Sequence, residues 1–265
     1  MGTKMIVNEL QTSAITVNGY PVVTQATAGL VPWCVAAHPA IMHMPNPTYV
    51  VATGMDVMFL TDHSVLAGFS FDLNLSGVKY FNARWLTSLT DLTLSTSLTT
   101  LDLSANKLLT TLNVSGSIGL TTLDLSANTL LTTLDTTDCT SLTTLGVSGL
   151  TALASLSTYS CTSLTALDVS GCTALASLDT TGCTKMTTLD VSGCTSLIVL
   201  DTFGCKFPNT KIDAIVITLA AGSVSSGTLN ANDQAIGTYN PSVAAAAAIV
   251  TLTGRSWSMT FDPPA

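Results

Sequence analysis

Six of the seven cysteines in this 265-residue chain stand at fixed intervals. Cys139, Cys161, Cys183 and Cys205 lie 22 apart, and so do Cys172 and Cys194. Thiols in columns offer three chemistries. They can be buried and free, acting as small hydrophobes. They can form disulfides between successive turns of chain, although side chains stacked in one column point the same way and fit disulfide geometry poorly. They can hold a metal, but His38, His43 and His63 all fall outside this tract, so the usual nitrogen ligands are missing. A ladder of buried free thiols is the expectation, and it implies folding in a reducing compartment.

Aspartates recur in the same way. Asp102, Asp124, Asp168 and Asp190 form one column; Asn113, Asp135, Ser157, Asp179 and Asp201 form another. Stacked carboxylates one strand spacing apart repel by about 0.9 kcal/mol per pair in bulk water. Such columns read as a hydrated acidic face, or as a ladder that recruits cations or a basic partner. Beside the second column run Ser115, Thr137, Tyr159, Thr181 and Phe203. Tyr159 and Phe203 are large aromatics on a small polar face. They could stack on a sugar, anchor a protein contact or lie under a flanking domain. The candidate binding residues are therefore Tyr159, Phe203, Asp135, Asp179 and Asp201.

Other reactive residue types do not assemble into a site. Cys34, His38 and His43 match no common zinc spacing, and Pro39 falls between the two histidines. Asp62, His63 and Ser64 are adjacent, and adjacent residues cannot adopt triad geometry. Carboxylates in a regular exposed ladder lack the differing environments that separate a general acid from a base. No catalytic residue, metal ligand or cofactor is expected, and the chain reads as a non-enzyme.

The elements that position these columns are repeats. Residues 98–207 divide into ten segments of eleven residues, from LTTLDLSANKL to the segment that begins at Leu197. The sixth place alternates between segments: Leu103, Leu125, Val147, Val169 and Val191 in one kind; Val114, Thr136, Thr158, Thr180 and Thr202 in the other. The unit is thus a 22-residue coil with two unlike halves, repeated five times, which is the signature of a solenoid. In Thr100–Ser104 the period of two turns Leu101 and Leu103 inward and Thr100, Asp102 and Ser104 outward. One coil cannot bury its leucines; stacked coils can. Five coils at about 4.8 Å give a rod roughly 24 Å long.

The pattern L-x-x-L-x-L-x-x-N-x-L stands intact at Leu98–Leu108 and Leu120–Leu130. On these residues and the cysteine columns, the chain resembles leucine-rich-repeat proteins of the bacterial internalin-like type with cysteine ladders. The resemblance implies a mainly β solenoid and says little about function.

The flanks differ. Residues 1–88 are expected to form a β-rich docking and capping region. Ala14–Val17, Asn18-Gly19 and Tyr20–Val23 give a hairpin signal, with Pro21 marking an edge strand that suits docking on another subunit. Residues 31–66 read as irregular. Gly68–Gly77 alternates as a strand that caps the solenoid, 89–207, and Tyr80, Phe81 and Trp85 complete that cap. Residues 208–265 read as an α/β cap: a helix over Lys211–Ala221 stopped by Gly222, a strand over Gly227–Asn230, a helix from about Pro241 to Leu252 and a strand over Arg255–Phe261. The tail IDAIVITLAAGSVSSGTLNA…NPSVAAAAAIVTLTGRSWSMTF resembles the cap that follows such repeats in proteins of bacteriophages and their bacterial hosts.

Charged residues are only 9% and the net charge is −8, which excludes nucleic acid as an expected partner. No apolar stretch is long enough to span a bilayer, and residues 1–13 lack the pattern of a secretory signal. The first expectation is a phage virion protein (head decoration, neck or tail-associated) that is made in the host cytoplasm, docks through its N-terminal region on other virion proteins and displays the repeats. The alternative is a bacterial surface or secreted adhesin that binds host protein or glycan. Either reading implies an oligomer or a larger assembly.

Overall fold

The computed structural model describes residue 87 and residues 89–94, 98–232 and 239–261 in full. It also gives the backbone of five short strands before them: β1 (Thr16–Val17), β2 (Tyr20–Pro21), β3 (Val57–Phe59), β4 (Phe69–Leu73) and β5 (Tyr80–Asn82). β1 and β2 pair antiparallel around Asn18-Gly19, as the turn dipeptide predicts, over fewer residues than the alternation suggests.

From β6 (Leu89–Leu94) onward the chain winds as a solenoid. Its strands are three residues long and fall on two faces. The first face carries β7 (Thr100–Asp102), β9 (Thr122–Asp124), β11 (Thr144–Gly146), β13 (Ala166–Asp168) and β15 (Thr188–Asp190). The second carries β8 (Thr111–Asn113), β10 (Thr133–Asp135), β12 (Ser155–Ser157), β14 (Ser177–Asp179) and β16 (Val199–Asp201). On the second face each strand pairs in parallel with the strand two on; on the first face β9 pairs with β11 and β13 with β15. A slip of one residue is excluded by the leucine at the centre of each strand.

Two tight turns make each corner. In the coil that starts at Leu120, Asn128 N–H donates to Leu125 O at 2.8 Å and Leu131 N–H donates to Asn128 O at 3.0 Å. The same pair of bonds recurs down the rod. Small threonines suit the corners because their hydroxyls bond to the coil before: Thr132 Oγ1 donates to Thr110 O at 2.9 Å and Thr143 Oγ1 to Thr121 O at 3.0 Å.

The core is a stack of in-register columns. Leu92, Leu112, Leu134, Leu156, Leu178, Leu200 and Leu229 lie side by side across the second face, all buried. Each contributes about 1.5–3 kcal/mol by leaving water. Burial of each depends on the coils above and below, so the coils stand or fall together.

Both flanks join this stack. β4 pairs in parallel with β6 at one end of the second-face sheet, and β3 pairs with β5 and β5 with β7 on the first face. The strand expected at Gly68–Gly77 is thus present as the last rung. Residues 57–59, inside the tract expected to be irregular, form a strand as well. Trp85 lies outside the described residues.

At the other end α1 (Asn209–Ala221) leads to β17 (Gly227–Ala231), and α2 (Val243–Gly254) leads to β18 (Trp257–Phe261). β17 and β18 continue the second-face sheet in parallel, which then runs β18-β17-β16-β14-β12-β10-β8-β6-β4 among the described residues. Helices therefore replace strands on the first face only. α1 turns Ile212, Ile215, Val216 and Leu219 into the core. Its C-terminal end is capped by Gly222 and by Arg255 Nη1, which donates to Ala220 O and Gly222 O. α2 starts two residues later than the proline suggests: Ser242 is the N-cap and accepts from Ala245 N–H at 3.2 Å. Asp213 on α1 ties the approach to α2, accepting from Tyr239 Oη at 2.7 Å and Ser242 N–H at 3.1 Å.

Candidate functional site

The two columns of cysteines are buried free thiols, all six of them among the described residues. Each Sγ donates to the carbonyl at the sixth place of the coil before. Cys161 reaches Thr136 O at 3.1 Å, Cys183 reaches Thr158 O at 3.1 Å and Cys205 reaches Thr180 O at 3.0 Å. Asn128 Nδ2 makes the equivalent bond to Leu103 O at 3.1 Å, which explains why Asn and Cys exchange at the ninth place. The sixth-place threonines bind in the opposite direction: Thr136 Oγ1 to Ser157 O at 3.0 Å and Thr180 Oγ1 to Asp201 O at 3.1 Å. Thr180 Oγ1 also lies 3.3 Å from Cys205 Sγ. Burial drives the thiol of Cys139 up to about 12, and those of Cys161 and Cys205 up to about 11. These are neutral structural thiols, and the thiolate that reactivity requires is suppressed.

Ser117 occupies the same column one coil earlier. It is fully buried, and its Oγ has no hydrogen-bond partner. An unpaired buried hydroxyl costs about 1–3 kcal/mol. Ser117→Cys is expected to stabilise the protein by about 1 kcal/mol, raising Tm by roughly 2–4 °C. Cys161→Ser is expected to lower stability by about 1–3 kcal/mol. Calorimetry of both variants under reducing conditions checks the pair; a lower Tm for Ser117→Cys would refute it.

The aspartate columns have a structural task that alternation along a strand does not reveal. Each strand ends at its aspartate, and the carboxylate accepts the backbone N–H two residues on, closing the turn. Asp135 Oδ1 accepts from Thr137 N–H at 2.9 Å, Asp179 Oδ1 from Thr181 N–H at 2.9 Å and Asp201 Oδ1 from Phe203 N–H at 2.9 Å. Asn113 does the same with Ser115 N–H at 2.9 Å. On the first face the N–H and hydroxyl of Ser126 hold Asp124 below the usual carboxylate range; Ser192 does so for Asp190, with help from the Lys211 ammonium.

The five candidate residues do come together. Asp135, Ser157, Asp179 and Asp201 are in register on neighbouring strands of the second face. Tyr159 and Phe203 stand in the turns that follow β12 and β16, each 43% exposed, and the described residues of the C-terminal cap cover neither. Their backbones are fixed by the inter-coil ladder: Asp138 N–H donates to Tyr159 O, and Gly182 N–H to Phe203 O, both at 2.8 Å. At two coils' separation they are roughly 10 Å apart along the rod, with Thr181 between them. Asp201 is tied further into the cap, since its Oδ2 accepts from Asn230 Nδ2 at 3.1 Å.

A concave place lies elsewhere on the solenoid. Between β13, β15 and α1 lies a cleft of about 450 Å³, with Asp168, Thr188 and Asp190 on one wall and Lys211, Ile215 and Thr218 on the other. It arises because α1 takes the place of a strand on the first face and does not lie flush with the sheet. The sequence holds no local sign of it, since its two walls come from separate segments, residues 166–191 and 211–218. No cluster of three or more metal-ligating side chains occurs among the described residues, and none of their helices is long and apolar enough to cross a membrane.

Twenty-two-residue coils, parallel strands in register and two columns of buried cysteines settle the architecture. The chain is a leucine-rich-repeat-like β-solenoid with a cysteine ladder. It is similar to the functional domain of InlJ from Listeria monocytogenes, which includes a cysteine ladder, with 24% sequence identity over 65% of this chain and 43% of that one and a TM-score of 0.38. The chain thus spans less than half the length of that structure. No family model and no curated protein matches this sequence.

Proposed function

We propose that the protein is a non-enzymatic binding module that presents the second face of its solenoid to a ligand at a cell or particle surface. One observation carries this reading: Tyr159 and Phe203 are large, half-exposed aromatics held by a rigid ladder on a face whose other outward side chains, apart from Ile198 and Val199 in the coil of Phe203, are small and polar. Exposed aromatics of this kind supply much of the affinity at binding surfaces. The carboxylates argue against catalysis, because their repeated turn-closing bonds give them like environments and no division into acid and base.

The virion expectation draws on docking through residues 1–88, and on the phage-like tail. The side chains of nearly all of that N-terminal region lie outside the described residues. Display of a binding face is common to the virion and adhesin readings, and the described geometry favours the face itself as the working part.

Binding of the labelled full chain to a panel of bacterial and animal cell surfaces tests this. The double variant Tyr159→Ala, Phe203→Ala is expected to lose binding at least about tenfold, in line with 0.5–1.5 kcal/mol for each aromatic contact, with its thermal unfolding unchanged. Undiminished binding by the double variant would remove the second face from consideration.

A further inference from the structure

Resting on the second face as the binding face, the spacing and charge of that face narrow the ligand. The coils repeat at about 4.8 Å, and Tyr159 and Phe203 are two coils apart. An extended peptide advances about 3.3 Å per residue. Its third residue on would reach the second aromatic, but that residue's side chain points to the opposite side. A β-1,4-linked pyranose chain behaves differently. Its advance per ring is close to the coil spacing, and each ring is turned over relative to the one before. Alternate rings therefore show the same face at the separation of Tyr159 and Phe203. The ring between them crosses Thr181, whose short side chain leaves room for a substituent.

Charge adds a second constraint. Places two to eight of the five half-coils on this face (residues 110–116, 132–138, 154–160, 176–182 and 198–204) carry Asp135, Asp138, Asp179 and Asp201 and no lysine or arginine. Asp135 and Asp179 each use Oδ1 to close a turn, and among the described residues Oδ2 of each accepts no hydrogen bond. These oxygens flank the aromatic column at the same repeat. They suit a ligand with a cation on every ring or every second ring.

We propose that the strip formed by Tyr159, Thr181, Phe203 and the row Asp135–Asp179–Asp201 binds a β-1,4-linked amino-sugar polysaccharide with free amines, lying along the rod axis. Alternate rings stack on Tyr159 and Phe203. The ammonium groups meet the aspartate row.

Calorimetric titration of the full chain with three oligosaccharides of equal length tests this: fully deacetylated chitosan, its N-acetylated counterpart and the neutral β-1,4-glucan. The deacetylated chain is expected to bind at least about tenfold more tightly than the other two, with affinity falling as salt rises. Tyr159→Ala and Phe203→Ala are each expected to weaken it up to about tenfold. Asp179→Asn keeps a turn-closing oxygen, as Asn113 does naturally, and removes the charge; it is expected to weaken the deacetylated ligand several-fold and leave the neutral one unchanged.

Equal binding of all three oligosaccharides would overturn the amino-sugar assignment. So would an equal loss from Asp124→Asn on the first face, which would mean general attraction to an acidic protein. If no oligosaccharide binds, the polysaccharide inference falls. The cell-binding result for the double aromatic variant then decides separately whether the second face is a binding face at all.

Discussion

Above pH 9 the solenoid is expected to lose stability steeply and to unfold cooperatively between about pH 10 and pH 11. Cys139, Cys161, Cys183 and Cys205 are fully buried, and burial raises each thiol from an ordinary value of 9.0 to about 11 or 12. Folded, they keep their protons; unfolded, they release them once the pH passes 9. The unfolded state then binds fewer protons, so stability falls as pH rises. One thiol contributes a slope of about 1.4 kcal/mol per pH unit, and four together about 5. Two such units remove about 10 kcal/mol, the middle of the usual 5–15 kcal/mol range of total stability. Below pH 9 these thiols contribute no slope. Denaturant titrations followed by circular dichroism, from pH 7 to 11 with reductant present, measure the effect. A variant with alanine at all four positions is expected to be less stable at pH 7 and to have a much shallower slope above pH 9, the remainder coming from the raised groups Cys172, Cys194 and Tyr239. If its alkaline slope matches that of the parent, the thiols are not the cause.

The second large effect is expected at Gly227, where the chain passes from strand–strand coils to helix–strand coils. A Cβ built there would lie 2.7 Å from Ile198 O and 2.8 Å from Cζ2 and Cη2 of Trp257. Neither neighbour is free to yield. Ile198 O accepts Thr228 N–H at 2.7 Å, and the indole is held by its bond from Nε1 to Val224 O at 3.3 Å. Gly227→Ala is expected to cost about 3 kcal/mol or more, at or above the upper end for overpacking. Gly227→Val should detach the cap and expose the end of the leucine stack. Gly254→Ala is the control: its Cβ would meet nothing within 4 Å, and the exchange is expected to stabilise by up to about 1 kcal/mol. Equal midpoints for the two alanine variants in guanidinium would refute the reading of Gly227.

Much of this fold is legible in the sequence because it is periodic. The leucine columns, the two unlike halves, the buried thiols and the helices of the cap all follow from spacing. Partnership between distant elements does not. Nothing local to residues 227–231 or 257–261 says that they extend the sheet of β16, and nothing near Lys211 says that it faces Asp190. The aspartates mark a subtler limit. The alternation that sends Leu134 inward sends Asp135 outward, and this is correct. It says nothing of the backbone N–H of Thr137, which becomes a partner only because the strand ends at that carboxylate. Local turn chemistry is present in Asp-x-Thr and Asp-x-Ser, and the period-two strand pattern masks it.

The unlike halves of the coil also constrain how such a chain can change length. Helices replace strands on one face only, and the sixth-place threonine-to-carbonyl bonds belong to the other. Gain or loss of 22 residues by recombination between near-identical coils leaves every column in place and shifts the cap by one step of about 4.8 Å. A change of eleven residues turns the cap by half a coil, sets helices over the wrong sheet and brings valine against threonine down the stack. The DNA of this repeat can therefore drift in length only by even numbers of segments, and natural variants should differ by whole coils.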